Sequence, residues 1–210
     1  TATGENVGGI LGYSKNFGGV SNSSNAAEVA GASYVAGISG HAYATGCTNK
    51  GNITGTGNYV AGVYGTYAYG NTSNNQNYGD VTGVDRVAGI TGHGNSTYSH
   101  NEGNVTGRDN VAGITTGNGS SYLGNLGSCT NKGNISGRNY VAGIISNSSN
   151  SLADCKNEGK IDGEQYVAGI AAKFNVTNLT RTENTGSVTG IAYVAGIAAE
   201  VTTTSSYKIN

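Results

Sequence analysis

The stretch NEGNVTGRDNVAGI, Asn101 to Ile114, decides the fold, because variants of it recur along the chain. NKGNITGTGNYVAGV runs from Asn49 to Val63 and NYGDVTGVDRVAGI from Asn77 to Ile90. NKGNISGRNYVAGI (131–144), NEGKIDGEQYVAGI (157–170) and NTGSVTGIAYVAGI (184–197) follow. A degenerate copy lies at Asn25 to Ile38, and half a copy, NVGGI, at Asn6 to Ile10. The Val of each VAGI-like unit falls at 7, 35, 60, 87, 111, 141, 167 and 194, at intervals of 24 to 30 residues. A period of this length signals stacked repeats.

Glycine interrupts the chain too often for helical repeats: there are 37 Gly in 210 residues, and each costs about 1 kcal/mol inside a helix. Short β-branched pieces between Gly and Asn read as strands and turns. The sequence therefore predicts an all-β, single-domain parallel β-solenoid of about eight coils of roughly 27 residues, continuous over 1–210. Disorder is disfavoured: net charge is only -1, and Val, Ile and Thr recur at fixed positions. The balance of charge gives no footprint for nucleic acid. No apolar run approaches the roughly 20 residues that span a bilayer.

Each copy has a constant and a variable part. Asn and Val are 10 residues apart in every full copy except Asn49 to Val60, where they are 11 apart. Between Ile and the next Asn, 10 to 16 residues intervene. The constant part is read as stacked wall, since a one-residue slip there would turn side chains to the other face. The variable part is read as carrying solvent-facing loops. Stacking predicts an apolar column at Ile53, Val81, Val105, Ile135, Ile161 and Val188, and an amide column at Asn49, Asn77, Asn101, Asn131, Asn157 and Asn184. The amide column is read as marking a turn, its stacked side chains bonding from coil to coil. Val and Ile of VAGI are three apart, so both point inward only if the chain bends between them. The small residues of VAGI either keep the lumen narrow or supply a positive φ at a corner.

The repeat N-x-G-x-[VI]-x-G-x-x-x-V-[AG]-G-[IL], with Cys two residues before the Asn in three copies, resembles the GLUG-motif repeats of bacterial cell-surface proteins, including IgA-protease-like ones. The resemblance implies a right-handed parallel β-helix on a secreted or surface-displayed bacterial protein. VAGI stands where VGGL is commoner, and no HExxH zinc motif is present, so protease activity does not carry over.

Candidate chemistry is sparse. Cys47, Cys129 and Cys155 share one repeat position. They read as inward packing residues, with a Cys129–Cys155 disulfide as the alternative. They have no nearby His to complete a metal set. His41 and His93 share a position two coils apart and read as surface residues. Asp85 and Asp109 stack on neighbouring coils, within the carboxylate spacing of glycosidases, but ladder position explains them equally well. Tyrosine is enriched, at 14. Tyr43, Tyr64, Tyr67, Tyr69, Tyr98 and Tyr122 fall in variable stretches among Asn, Ser and Gly, a composition suited to adaptable recognition. A polar row at Asn52/Thr54, Asp80/Thr82, Asn104/Thr106, Asn134/Ser136 and Ser187/Thr189 resembles an ice-binding face, interrupted by Lys160/Asp162.

Neither end reads as a cap, and both fall at nearly one phase of the repeat. The expectation is a slice of a longer array or a subunit that stacks end to end. The function expected is non-catalytic: a rigid extracellular stalk or filament, requiring no cofactor, with itself or a longer parent chain as partner. The alternative is an adhesin whose tyrosines contact glycans or host proteins.

Overall fold

A computed structural model describes residues 4–15, 18–66, 72–117, 126–148, 151–175 and 178–202. The described residues are all-β and wind into a parallel solenoid of about seven turns. Every named strand pair is parallel and joins equivalent positions of successive coils. Val7, Val35, Val60, Val87, Val111, Val141, Val167 and Val194 follow one another across a single eight-stranded sheet.

One coil visits five short walls. The first holds the repeat Asn, as in Thr130–Asn131, and is seven-stranded. The second, also seven-stranded, holds the Val/Ile column, as in Ile135–Ser136. After a corner comes the VA strand, as in Asn139–Ala142. The chain then bends through Gly-Ile into a fourth wall, as in Ile145–Ser148, and a fifth, as in Leu152–Ala153. The bend after Ala lets Val141 and Ile144 both be buried, but into different halves of the core. Val141 joins Ile135, Ile161 and Val167 in one apolar column. Ile144 joins Cys129, Ile145, Leu152 and Ile170 in the other.

The amide column stands between these halves. Asn49, Asn77, Asn101, Asn131 and Asn157 are fully buried. Each Nδ2 donates to the Oδ1 of the next coil's Asn, at 2.7–2.8 Å from Asn49 through to Asn184. Its second hydrogen goes to the carbonyl two residues ahead, as from Asn131 to Gly133 O at 2.8 Å. The position sits inside a strand, not at a turn. Its polarity is tolerated because the amide donors are satisfied.

Both kinds of repeat glycine answer to close approach. A Cβ at Gly113 would overlap the carbonyl oxygen of Gly143 and the amide of Asn131. A Cβ at Gly133 would overlap the carbonyl of Gly103 in the coil before. Neither has a positive φ. The left-handed corners belong to other residues. Asn6, Tyr34, Tyr59, Arg86, Asn110, Tyr140, Tyr166 and Tyr193, each just before the Val, have φ of 54–60°. Asn22, Gly46, Asn74, Tyr98, Ser128, Asp154 and Arg181 make a second corner at 48–65°. A non-glycine residue there costs about 1–2 kcal/mol. Outward contacts between successive corners offset part of this cost: Arg181 makes a bidentate pair with Asp154, at 2.6 and 2.8 Å. The one longer copy is absorbed at the first corner, between Ile53–Gly55 and Val60–Ala61, so the walls keep register.

Candidate functional site

Of the six tyrosines expected to line a binding face, the structure describes Tyr43, Tyr64 and Tyr98. Tyr64, expected in a solvent-facing loop, is instead fully buried. It directly follows the VAGV unit and takes the fourth-wall position, bridging Ser39 and Thr91 of the adjacent coils. Its hydroxyl lies 2.8 Å from Thr72 Oγ1 and 2.7 Å from Asn95 O. Burial, opposed by the Thr72 and Thr91 hydrogen bonds, pushes its pKa up to about 12. Tyr67, Tyr69 and Tyr122 lie outside the described residues. Tyr43 is half-buried just before Ala44–Thr45, whereas Tyr98 is 59% exposed at the second corner. A row of hydroxyls extends from Tyr64 through the central coils. Thr115 donates to Gly94 O at 2.8 Å, Thr116 to Gly92 O, and Ser146 to Thr116 O at 2.6 Å. Polar identity concealed these inward positions in the sequence.

Cys47, Cys129 and Cys155 are buried free thiols. Lys156 N donates to Cys129 O at 2.9 Å, which places Cys129 and Cys155 at matching positions of adjacent coils. The Cys129 thiol donates to Ser96 O at 3.1 Å, and burial pushes its pKa up. The same repeat position holds Asn75 and Ser99 in the coils between. Asn75 bonds Cys47 N and Ala44 O, and Ser99 Oγ bonds Asn75 N. No cluster of three or more His, Cys, Asp or Glu suited to a metal occurs among the described residues.

Asp85 and Asp109 face each other across adjacent coils, but each is engaged by arginine. Arg108 grips Asp85 at 2.5 and 3.0 Å, and Arg138 grips Asp109 at 2.7 and 3.2 Å. The Arg138 guanidinium, with Asn139, holds Asp109 below the usual carboxylate range. A depressed carboxylate at Asp109 is the opposite of the raised-pKa acid that glycoside hydrolysis needs. His93, expected at the surface, is half-buried, with Tyr59 edge-on at 6.5 Å. Burial and then the Arg86 charge lower its pKa. The outward polar row is largely hydrogen-bonded within itself. Asn52, Asp80, Asn104 and Asn134 each accept a hydrogen bond from the backbone N–H of the following coil. Lys160 and Asp162 pair at 3.4 Å and break the row.

No family model, curated protein or solved structure matches the chain. A second set of tyrosines stands at the first corner, directly before the Val. There Tyr140, Tyr166 and Tyr193 form a continuous ring stack, and Arg86 sits 5.3 Å from the Tyr59 centroid. The signal was in the spacing: tyrosine directly precedes the Val in five of the eight copies.

Proposed function

We propose that this chain is a non-catalytic structural repeat, a section of a rigid stalk displayed outside a bacterial cell. One observation carries the reading: the buried amide column runs through every coil from Asn25 to Asn184. Such a column makes each coil the template for the next, so length is added by repetition without new design. Seven turns at about 4.8 Å give a section roughly 34 Å long, and further coils from a longer parent chain or a second copy would extend it. The likeness of the repeat to GLUG-motif arrays supports surface display. No helix among the described residues is long and apolar enough to cross a membrane. The role needs no cofactor.

Two measurements test this. Antibody labelling of intact producing cells should detect the chain; labelling only after lysis would contradict surface display. Single-molecule pulling should release the solenoid in steps of about 90 Å, the length of one extended 27-residue coil. Extension at low force with no steps would contradict a load-bearing stalk.

The second reading is an adhesin. It is favoured by exposed rings at Tyr13, Tyr78, Tyr98 and Tyr193. A glycan array, together with a host-protein array, tests it with wild type and a Tyr98→Ala, Tyr78→Ala variant. Binding by wild type that the variant loses favours the adhesin; no binding by either leaves the stalk.

A further inference from the structure

Tyr140, Tyr166 and Tyr193 occupy one left-handed corner in three successive coils. Their ring centroids are 4.7 and 4.5 Å apart, and the planes diverge by only 8° and 5°. The corner backbone, with φ of 54–55°, fixes the direction in which each side chain leaves the coil. Sheet pairing of Val141 with Val167, and of Val167 with Val194, fixes the distance between them. The rings are therefore held face to face. They are also accessible: Tyr140 and Tyr166 are part-exposed and Tyr193 is 61% exposed.

We propose that these three tyrosines are a site of oxidative phenol coupling, at which adjacent coils are joined by dityrosine under a peroxide-driven one-electron oxidant. Each of two neighbouring phenols gives one electron and its hydroxyl proton to the oxidant. One hydrogen peroxide is thereby reduced to two waters. The two phenoxyl radicals combine through a new carbon–carbon bond between ring carbons ortho to oxygen. The hydrogens displaced from those carbons return to the oxygens as the rings regain aromaticity. The product is the wild-type chain less two hydrogen atoms.

Proximity favours coupling within the chain. A radical on Tyr166 has a phenol within one sheet repeat on each side, and a held partner competes strongly with a dilute external one. Coupling requires the rings to tilt so that ortho carbons meet, and their partial exposure leaves solvent, not packed core, beside them. The product would tie together coils that otherwise depend on nearest-neighbour contact alone.

The test treats dilute protein with a peroxidase and hydrogen peroxide, then isolates the monomer and maps its peptides by mass spectrometry. The expected product is a cross-linked pair joining Tyr140 to Tyr166 or Tyr166 to Tyr193, two hydrogens lighter than its parts, with dityrosine fluorescence. Tyr166→Phe keeps an aromatic ring in the stack but removes the phenol common to both pairs, and should abolish both links. Tyr193→Phe should leave the Tyr140–Tyr166 link. Free tyrosine treated alongside confirms that the oxidant couples phenols. Links only between chains or at other tyrosines, undiminished links in Tyr166→Phe, or no dityrosine in the protein while free tyrosine couples would each overturn the proposal.

Discussion

Asn101 donates its side-chain amide to Asn131 Oδ1 at 2.8 Å, and Asn131 donates in turn to Asn157 at 2.7 Å. Each amide is thus both donor and acceptor inside a buried column. Replacing Asn131 with Leu leaves Asn157 Oδ1 and Gly133 O without this donor and the Asn101 amide without its acceptor. Buried unsatisfied groups cost about 1–3 kcal/mol each, so Asn131→Leu should destabilise by roughly 2–5 kcal/mol in denaturant unfolding. Asn184→Leu, at a part-exposed end of the column, should cost clearly less. Equal losses at both sites would contradict the column's role.

The glycine pattern makes a paired prediction. At Gly113 an added Cβ meets the Gly143 carbonyl and the Asn131 side chain, and paired backbone cannot retreat. At Gly127 the nearest atom to an added Cβ is Ala153 O, at 3.4 Å. Gly113→Ala should cost several kcal/mol or prevent folding, on the order of other overpacked sites. Gly127→Ala should fold with a melting temperature close to wild type, read by circular dichroism.

The corner at Ser128 has φ of 54°. Asn tolerates this region and a β-branched residue does not. Ser128→Asn should leave stability unchanged or slightly raised. Ser128→Val should lower it by about 1–2 kcal/mol. Thermal melts of the two variants check this, and equal melts would contradict a left-handed corner.

Tyr64 sets the alkaline behaviour. Its pKa is raised from 10.0 to about 12 by burial. The unfolded chain therefore loses this proton first as pH rises. The contribution of Tyr64 to stability is fully present below pH 10 and is lost as pH climbs towards 12. Ultraviolet titration should show a phenol that ionises only as pH climbs towards 12 and that Tyr64→Phe lacks. Tyr64→Phe should be less stable at neutral pH, since it removes the hydroxyl that lies beside Thr72 and Asn95 O, yet lose less stability between pH 10 and 12.

At the acid end, Asp109 is held below its usual range, first by its hydrogen bond to Arg138. A carboxylate depressed in the folded state stabilises above its unfolded pKa, near 3.8, and that stability is lost as pH falls through the lower folded value. Asp109→Asn should flatten the acid limb of a melting-temperature profile below about pH 4. Because the pair is partly exposed, added salt should shrink the difference.

The three walls of the constant segment were legible from spacing alone. A constant 10-residue interval from Asn to Val forces equivalent residues into register, and Ile135 does pair with Ile161. The inward fourth wall was not legible. Its positions hold Ser39, Tyr64, Thr91, Thr115 and Ile145, and polar residues at buried sites carry no apolar pattern. The left-handed corners were hidden for a related reason. At all of them but Gly46, a Tyr, Arg, Asn, Ser or Asp stands in place of the Gly that usually announces a positive φ. Their outward contacts with the next coil, such as Asp154 with Arg181, depend on neighbours some 27 residues away.

The most direct test of stacked coils is the set of methyl–methyl contacts of Ile135, measured by nuclear Overhauser spectroscopy on methyl-labelled protein. The in-register solenoid predicts cross-peaks from Ile135 to Val105 and Ile161, its partners on either side, and none to Val188, two coils away. Absence of the first two, or a strong contact to Val188, would contradict the account.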